Sequence, residues 1–281
     1  MVPRPPTATR RKRALGCAAW SRTPFRALYN PTRVPPAPHS FQSKLLLHRD
    51  VYACQTDDGT VFMDLRTGEY SALDLAATNL IAARIEGWIS SDRATADANV
   101  VLDDRASEEI LDALINDLFV LTASLELGKA ADLPVLRQTE SIPFRGNLLP
   151  WPRVRVNHLA AFCGAYLRAL FDVKCRPLAA TIRRVRERKS CHRNGVTPGV
   201  MTLDLVRIFR VLRPVLYTAK DRCLFDSIAL IEFLTAFGVF PTWVIAVRTR
   251  PFAAHSWVVD GDLILNELLE RAEEFYPILA V

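Results

Sequence analysis

The run from Asp221 to Glu267 constrains this chain more than any other part of it. Cys223 opens an apolar segment that reads as a helix and stops at Gly238. Thr242 to Val247 reads as a strand, and Ala253 to Val259, Asp260-Gly261 and Asp262 to Glu267 read as a strand, a turn and a returning strand. A helix leading into an antiparallel hairpin fits an α+β domain, with helices segregated before strands. The same run puts a thiol at a helix start and an imidazole, His255, on a strand. Asp221 is expected to cap the helix with its carboxylate, leaving Cys223 in the first turn. There, unpaired N–H groups and the positive end of the helix dipole favour a thiolate, and Lys220 and Arg222 add positive charge. Thiolate is the form that attacks a carbonyl. A cysteine alone is most simply a small buried hydrophobe; the imidazole downstream is what points to chemistry.

A third residue should orient that imidazole, and the turn decides which. If Asp260-Gly261 is a two-residue turn, Val259 pairs with Asp262 and Asn266 lies opposite His255. If the loop is Asp260-Gly261-Asp262, the partner is Glu267. Either side chain could hold the ring, and a carboxylate also stabilises imidazolium. Asp260 reads as a turn former. Neighbouring strand residues point to opposite faces, so Asn266 and Glu267 cannot both reach the ring from one regular strand.

The pieces C-L-F-D-S-I-A-L, V-R-T-R-P-F-A-A-H-S-W-V-V and L-I-L-N-E together resemble the lasso-peptide biosynthesis B proteins, the leader peptidases of microcin J25-type pathways. Those have a papain/transglutaminase-like cysteine fold. The resemblance implies a Cys223, His255 and Glu267 triad, with Glu267 twelve positions after His255 where the family usually carries L-N-D. It also implies hand-over of the released core to an asparagine-synthetase-like lasso cyclase, within antibiotic biosynthesis. ATP dependence is associated with the family, but no phosphate loop is legible, and no cofactor or metal is expected.

Charge divides the rest of the chain. The 281 residues carry a net +6, yet residues 1–40 hold eight Lys/Arg, no Asp or Glu, and eight of the 18 prolines. The remaining 241 residues sum to −2. Residues 1–44 therefore read as a disordered basic, Pro-rich extension. Arg10-Arg11-Lys12-Arg13 could attract nucleic acid or an anionic membrane, but a solvated tail is the simpler expectation, with neither as a partner. No secretory signal or 18-residue apolar run is present, so the chain is expected to be cytoplasmic. Six scattered cysteines without paired metal spacing suit reduced thiols, and Cys191-His192 lacks a second ligand pair.

Residues 45–123 read as a small winged-helix-like unit. Val51 to Cys54 and Val61 to Leu65 are strands around Asp57-Asp58-Gly59, Arg66-Thr67-Gly68 turns into Glu69-Tyr70-Ser71, Asp74 caps a helix, and Ser107 caps another over 108–118. The D-G-T-V-F-M-D-L-R-T-G-E-Y-S-A-L-D run resembles the PqqD-like precursor-recognition domain. That implies a leader peptide adding a strand beside Glu69, Tyr70 and Ser71, against Leu111 and Leu114 of the helix. A DNA-binding use is disfavoured because that helix carries Glu108, Glu109, Asp112 and Asp117.

Residues 124–154 read as a linker broken by prolines, and 155–281 as the transglutaminase-like cysteine peptidase domain. Within it, helices are expected over Leu159–Phe171, over Leu178–Lys189 with a solvated basic face, and over Leu203–Leu212, ended by Pro214. The expected function is a cysteine peptidase removing the leader of a ribosomally made (RiPP) lasso-peptide precursor before macrolactam closure. The alternatives are a transglutaminase-like acyltransferase using the same residues, or a non-catalytic precursor-binding scaffold.

Overall fold

The protein is represented by a computed structural model, which describes residues 25–27, 45–82, 120–122, 128–129, 138, 140–142, 151–191 and 199–281. The expected helix over 107–118, with Leu111 and Leu114, and the Ser107 cap lie outside the described residues.

The N-terminal part is built on turns. Strands β1 (Phe25–Ala27), β2 (Leu45–His48), β3 (Val51–Thr56), β4 (Gly59–Asp64) and β5 (Glu69–Asp74) precede helix α1 (Leu75–Ala82). The β3–β4 pair closes through Asp57-Asp58, with Thr56 opposite Gly59. Gly59 sits at φ +134°, and a Cβ there would run into the Leu73 carbonyl oxygen, so only glycine fits. The Asp64 carboxylate ties down the next turn by accepting from the Arg66 backbone N–H at 2.8 Å. Asp74 Oδ1 accepts from the Ala77 N–H at 2.8 Å, the N-cap bond expected of it. The four-stranded sheet runs β1-β5-β4-β3, with β1 parallel to β5. Strand β2 pairs separately with β6 (Val120–Thr122) and β7 (Gly128–Lys129).

The C-terminal part follows as β8 (Glu140–Ser141), α2 (Val156–Cys175), α3 (Leu178–Cys191), α4 (Gly199–Leu216), α5 (Cys223–Thr235), β9 (Thr242–Thr249), β10 (Phe252–Asp260), β11 (Leu263–Ile264), α6 (Leu269–Ala272) and β12 (Tyr276–Ala280). The five-stranded sheet has the order β12-β9-β10-β11-β8. Its β8 strand lies within the stretch read as a linker and runs parallel to β11. Helix α4 does not stop at Pro214 but continues to Leu216. Proline there leaves the Arg210 carbonyl without its helical N–H partner, and the helix runs only two residues further.

Helix α5 is the centre of the fold. Phe225 through Leu234 are all buried, as a helix apolar on every side requires. It packs against α2, α4 and β10, and Phe233 meets Phe162, Phe209 and Phe237 at ring distances of 5.3 to 6.5 Å. Gly238, at φ +79°, ends the segment where the sequence placed its stop.

The basic face of α3 is not simply solvated. Arg184 pairs with Asp172 of α2 and with Glu232 of α5, both at 2.5 Å, and Arg188 reaches Glu232 at 2.9 Å. Buried carboxylates need such partners, so three helices are joined through charge as well as apolar contact. Arg186 donates to the Tyr52 hydroxyl at 2.9 Å and Lys189 to Thr242 Oγ1 at 2.6 Å.

Candidate active site

The site begins at the first residue of α5. Asp221 is not the cap: it takes a left-handed conformation (φ 59°), and Arg222 occupies the N-cap position without a side-chain cap bond. Asp226 N–H already donates to the Arg222 carbonyl, closing the first turn. Cys223 nonetheless stands where expected, at the positive end of the helix, and is half-buried. The expectation of reduced thiols holds for Cys54, Cys163, Cys175 and Cys191 but not for Cys223, which is disulfide-bonded. A sulfur in a disulfide is not a nucleophile; it must first be reduced.

His255 sits midway along β10, paired with Ala246 of β9. It is 7 % exposed and its ring meets those of Trp257 and Phe275, with centroids 5.8 and 5.1 Å away. Its Nε2 meets Glu267 Oε2 at 2.5 Å. Among the described residues Glu267 is the hydrogen-bond partner of the ring, so Nδ1 remains for a proton from elsewhere. The other Glu267 oxygen accepts from the Leu268 N–H at 3.0 Å, and Arg271 Nε lies 3.7 Å from Oε2. Burial works to raise the Glu267 pKa, but the His255 contact, the Leu268 N–H and the His255 and Arg271 charges outweigh it. The net effect holds the carboxyl below its usual value. The group is thus kept as a carboxylate, the form that orients an imidazole and stabilises imidazolium.

Neither turn geometry considered from the sequence is the one adopted. Asp260 pairs with Leu263 and Val259 with Ile264, so Gly261-Asp262 form the turn, with Gly261 at φ +61°. Extending that register would put Leu268 opposite His255. The ladder ends at Ile264 instead, and residues 265–267 bend. Arg210 of α4 holds the bend by donating to the carbonyls of Leu265, at 2.7 Å, and Ile142, at 3.1 Å. Burial and the neighbouring Arg213 lower the Arg210 pKa to about 10, still well above neutrality.

The bend sends consecutive residues to opposite sides. Glu267 goes to His255. Asn266 goes to α5, donating through Nδ2 to Asp226 Oδ2 at 3.0 Å and Ser227 Oγ at 3.4 Å, while its Oδ1 accepts from the Val258 N–H at 2.8 Å. Asp226 is also held by the Tyr217 hydroxyl at 3.0 Å and by Arg213 at 3.3 Å. Asp226 and Arg213 carried no legible signal as isolated polar letters in apolar helices, nor did Tyr217 just past the end of α4. The sheet faces follow the same division. Ala254 and Val258 enter the cluster that contains α5, whereas Trp257 and Val259 join Phe275 and Ala272 on the other face, which His255 shares. The structure therefore unites His255 with Glu267, and α5 with Asn266, while Asp260 lies at the turn, joined to neither by a hydrogen bond.

Residues 169–280 match the transglutaminase-like superfamily. No curated protein and no solved structure matches the chain. The transglutaminase-like stretch contains Cys223, His255 and Glu267 and leaves the N-terminal sheet outside it. A fold of this kind suits a cysteine peptidase or a cysteine acyltransferase. Among the described residues no cluster could hold a metal ion, and no helix is long and apolar enough to cross a membrane.

The expected peptide-binding residues divide. Glu69 is exposed, but Tyr70 is 2 % exposed and meets Phe252 in a tilted ring contact at 5.4 Å, and Ser71 is also buried. Their side chains do not line an open groove; what β5 offers is its backbone edge. Residues 25–27 of the chain itself pair with that edge, Phe25 opposite Tyr70 and Ala27 opposite Ala72.

Proposed function

We propose that this protein is a cysteine peptidase that cuts the leader from a ribosomally made lasso-peptide precursor. The observation carrying the catalytic part is the short His255–Glu267 contact, with Trp257 and Phe275 against the imidazole, downstream of a cysteine at a helix N-terminus. Once reduced, Cys223 gives its proton to His255 Nδ1 and its sulfur attacks the scissile carbonyl carbon. Backbone N–H groups of the first turn of α5 are the donors offered to the developing oxyanion. The tetrahedral intermediate collapses, the C–N bond breaks, and imidazolium protonates the leaving amine. Water activated by the same imidazole then hydrolyses the thioester and restores the thiol. Glu267 stays ionised throughout.

The recognition part rests on β5. Its edge already carries an added strand, residues 25–27, so a leader could be held there in the same way by main-chain hydrogen bonds. Binding in that register requires residues 25–27 to leave. The freed core would pass to an asparagine-synthetase-like cyclase.

The test is leader release followed by mass spectrometry, with reductant, using precursor candidates encoded beside the gene. Cys223→Ser should bind precursor and release no leader. Turnover by that variant at the wild-type rate overturns the reading. Transfer of the acyl group to added amine in preference to water would assign an acyltransferase instead.

A further inference from the structure

The sequence offers Asn266 only as a possible partner of the imidazole, and the structure gives it different contacts. One end of its amide holds Val258 N–H on β10, three residues from His255; the other holds Asp226 and Ser227 in the first turn and a half of α5, three and four residues from Cys223. Asp226 is 2 % exposed and cannot move freely, because Tyr217 and Arg213 grip the same carboxylate. The amide is therefore a two-ended clamp between the strand carrying the imidazole and the helix carrying the sulfur. Its neighbour Glu267 fixes the imidazole from the opposite face of the same bend.

We infer that Asn266 is a positioning residue, setting the start of α5, and so Cys223, against His255. This rests on the reading of Cys223 and His255 as a catalytic pair. Thiolate–imidazolium pairing is steep in distance, so releasing one end of the clamp should weaken the pair as well as the fold. Asn266→Asp is the selective change. It keeps an oxygen for Val258 N–H, removes the donor to Asp226, and sets two carboxylates together. Adding Asp226→Asn reverses the polarity and restores a donor–acceptor pair between the two positions.

The probe is iodoacetamide. After reduction, the alkylation rate of Cys223 is measured between about pH 5 and 9.5 by peptide mass mapping, with exposed Cys163 as internal reference. In the wild-type chain Cys223 should react at about pH 5.5 at least about tenfold faster than Cys163, the signature of a paired thiolate. N266D should lose at least about tenfold of that low-pH rate and little of the rate at the alkaline end, and D226N/N266D should regain most of it. Melting temperatures recorded alongside separate a purely structural role, which would lower stability and leave the low-pH limb in place. Retention of the limb in folded N266D, or failure of the double variant to restore it, overturns the clamp while leaving the pair standing. A wild-type chain without the limb overturns the Cys223–His255 pair itself, and the clamp with it.

Discussion

Replacing Glu267 by glutamine tests the site most sharply, because it removes charge with almost no change in shape. In the wild type, Oε2 lies 2.5 Å from His255 Nε2, and the side chain is 16 % exposed. A hydrogen bond to a charged group in such surroundings is worth about 1.5–3 kcal/mol. Glutamine can still accept from the imidazole N–H through its carbonyl oxygen, so orientation is partly kept and the loss falls on stabilisation of imidazolium. We expect kcat to fall by about tenfold to a hundredfold, roughly 1.4–2.8 kcal/mol, with KM little changed. The assay is initial-rate leader release under saturating precursor. Stability gives a second readout. The Glu267 pKa is lowered by folding, so its contribution is present above the unfolded carboxyl pKa and is lost as pH falls through the folded one. Wild type should lose its stability advantage over Glu267→Gln only in acid, below about pH 4.5. Cleavage by Glu267→Gln within about threefold of wild type would refute the assignment. A greater loss in Asp260→Ala than in Glu267→Gln would show that the turn supplies the orienting group.

Other outcomes follow from single contacts. Cleavage should be undetectable without reductant and recover on adding it, because Cys223 is disulfide-bonded; full activity of a chain whose Cys223 disulfide is shown intact by peptide mapping would remove Cys223 from the chemistry. Arg184→Met takes from buried Asp172 its bidentate partner, leaving the 3.8 Å contact with Arg176, while Glu232 keeps Arg188; it should cost about 3 kcal/mol by denaturant unfolding, whereas an effect below about 1 kcal/mol would return α3 to a solvated face. Gly59→Ala forces a Cβ against the Leu73 carbonyl and should lower the melting temperature markedly, while Gly68→Ala, with open space around it, should cost only its left-handed conformation. Deleting residues 1–40 should leave kcat intact and lower KM for precursor, since residues 25–27 vacate the β5 edge; a lowered kcat would give the extension a part in the chemistry.

Local rules made much of the fold legible. The apolar run after Cys223, the glycine that ends it, the Asp74 cap and the turn at Asp57-Asp58-Gly59 each depend on a few neighbouring residues, and each occurs as read. The His255–Glu267 contact follows from neither hairpin register that the sequence suggests. The hairpin turns at Gly261-Asp262 instead, and Glu267 arrives through a bend held by Arg210, far upstream and in no visible pattern. Long-range polar contacts of this kind leave no periodic trace. The same holds for Arg184 and Arg188, whose sequence shows a charge run and whose partners lie on two other helices. Asp221 failed as a cap because a left-handed residue there turns the chain into the helix one position later.

The N-terminal sheet does not keep its core to itself. Cys54, Val61, Met63, Leu65 and Tyr70 belong to the same buried cluster as α5, β9 and β12. Thr249 and Arg250 close over Asp58 at 2.5 and 2.6 Å. Two halves that share one interior cannot melt separately, so the chain should unfold in a single transition despite its separate sheets. Free energy gained at one end is then available at the other. A peptide lying along β5 at about a hundred times its dissociation constant would add about 2.7 kcal/mol to the stability of the half that carries Cys223, without touching it.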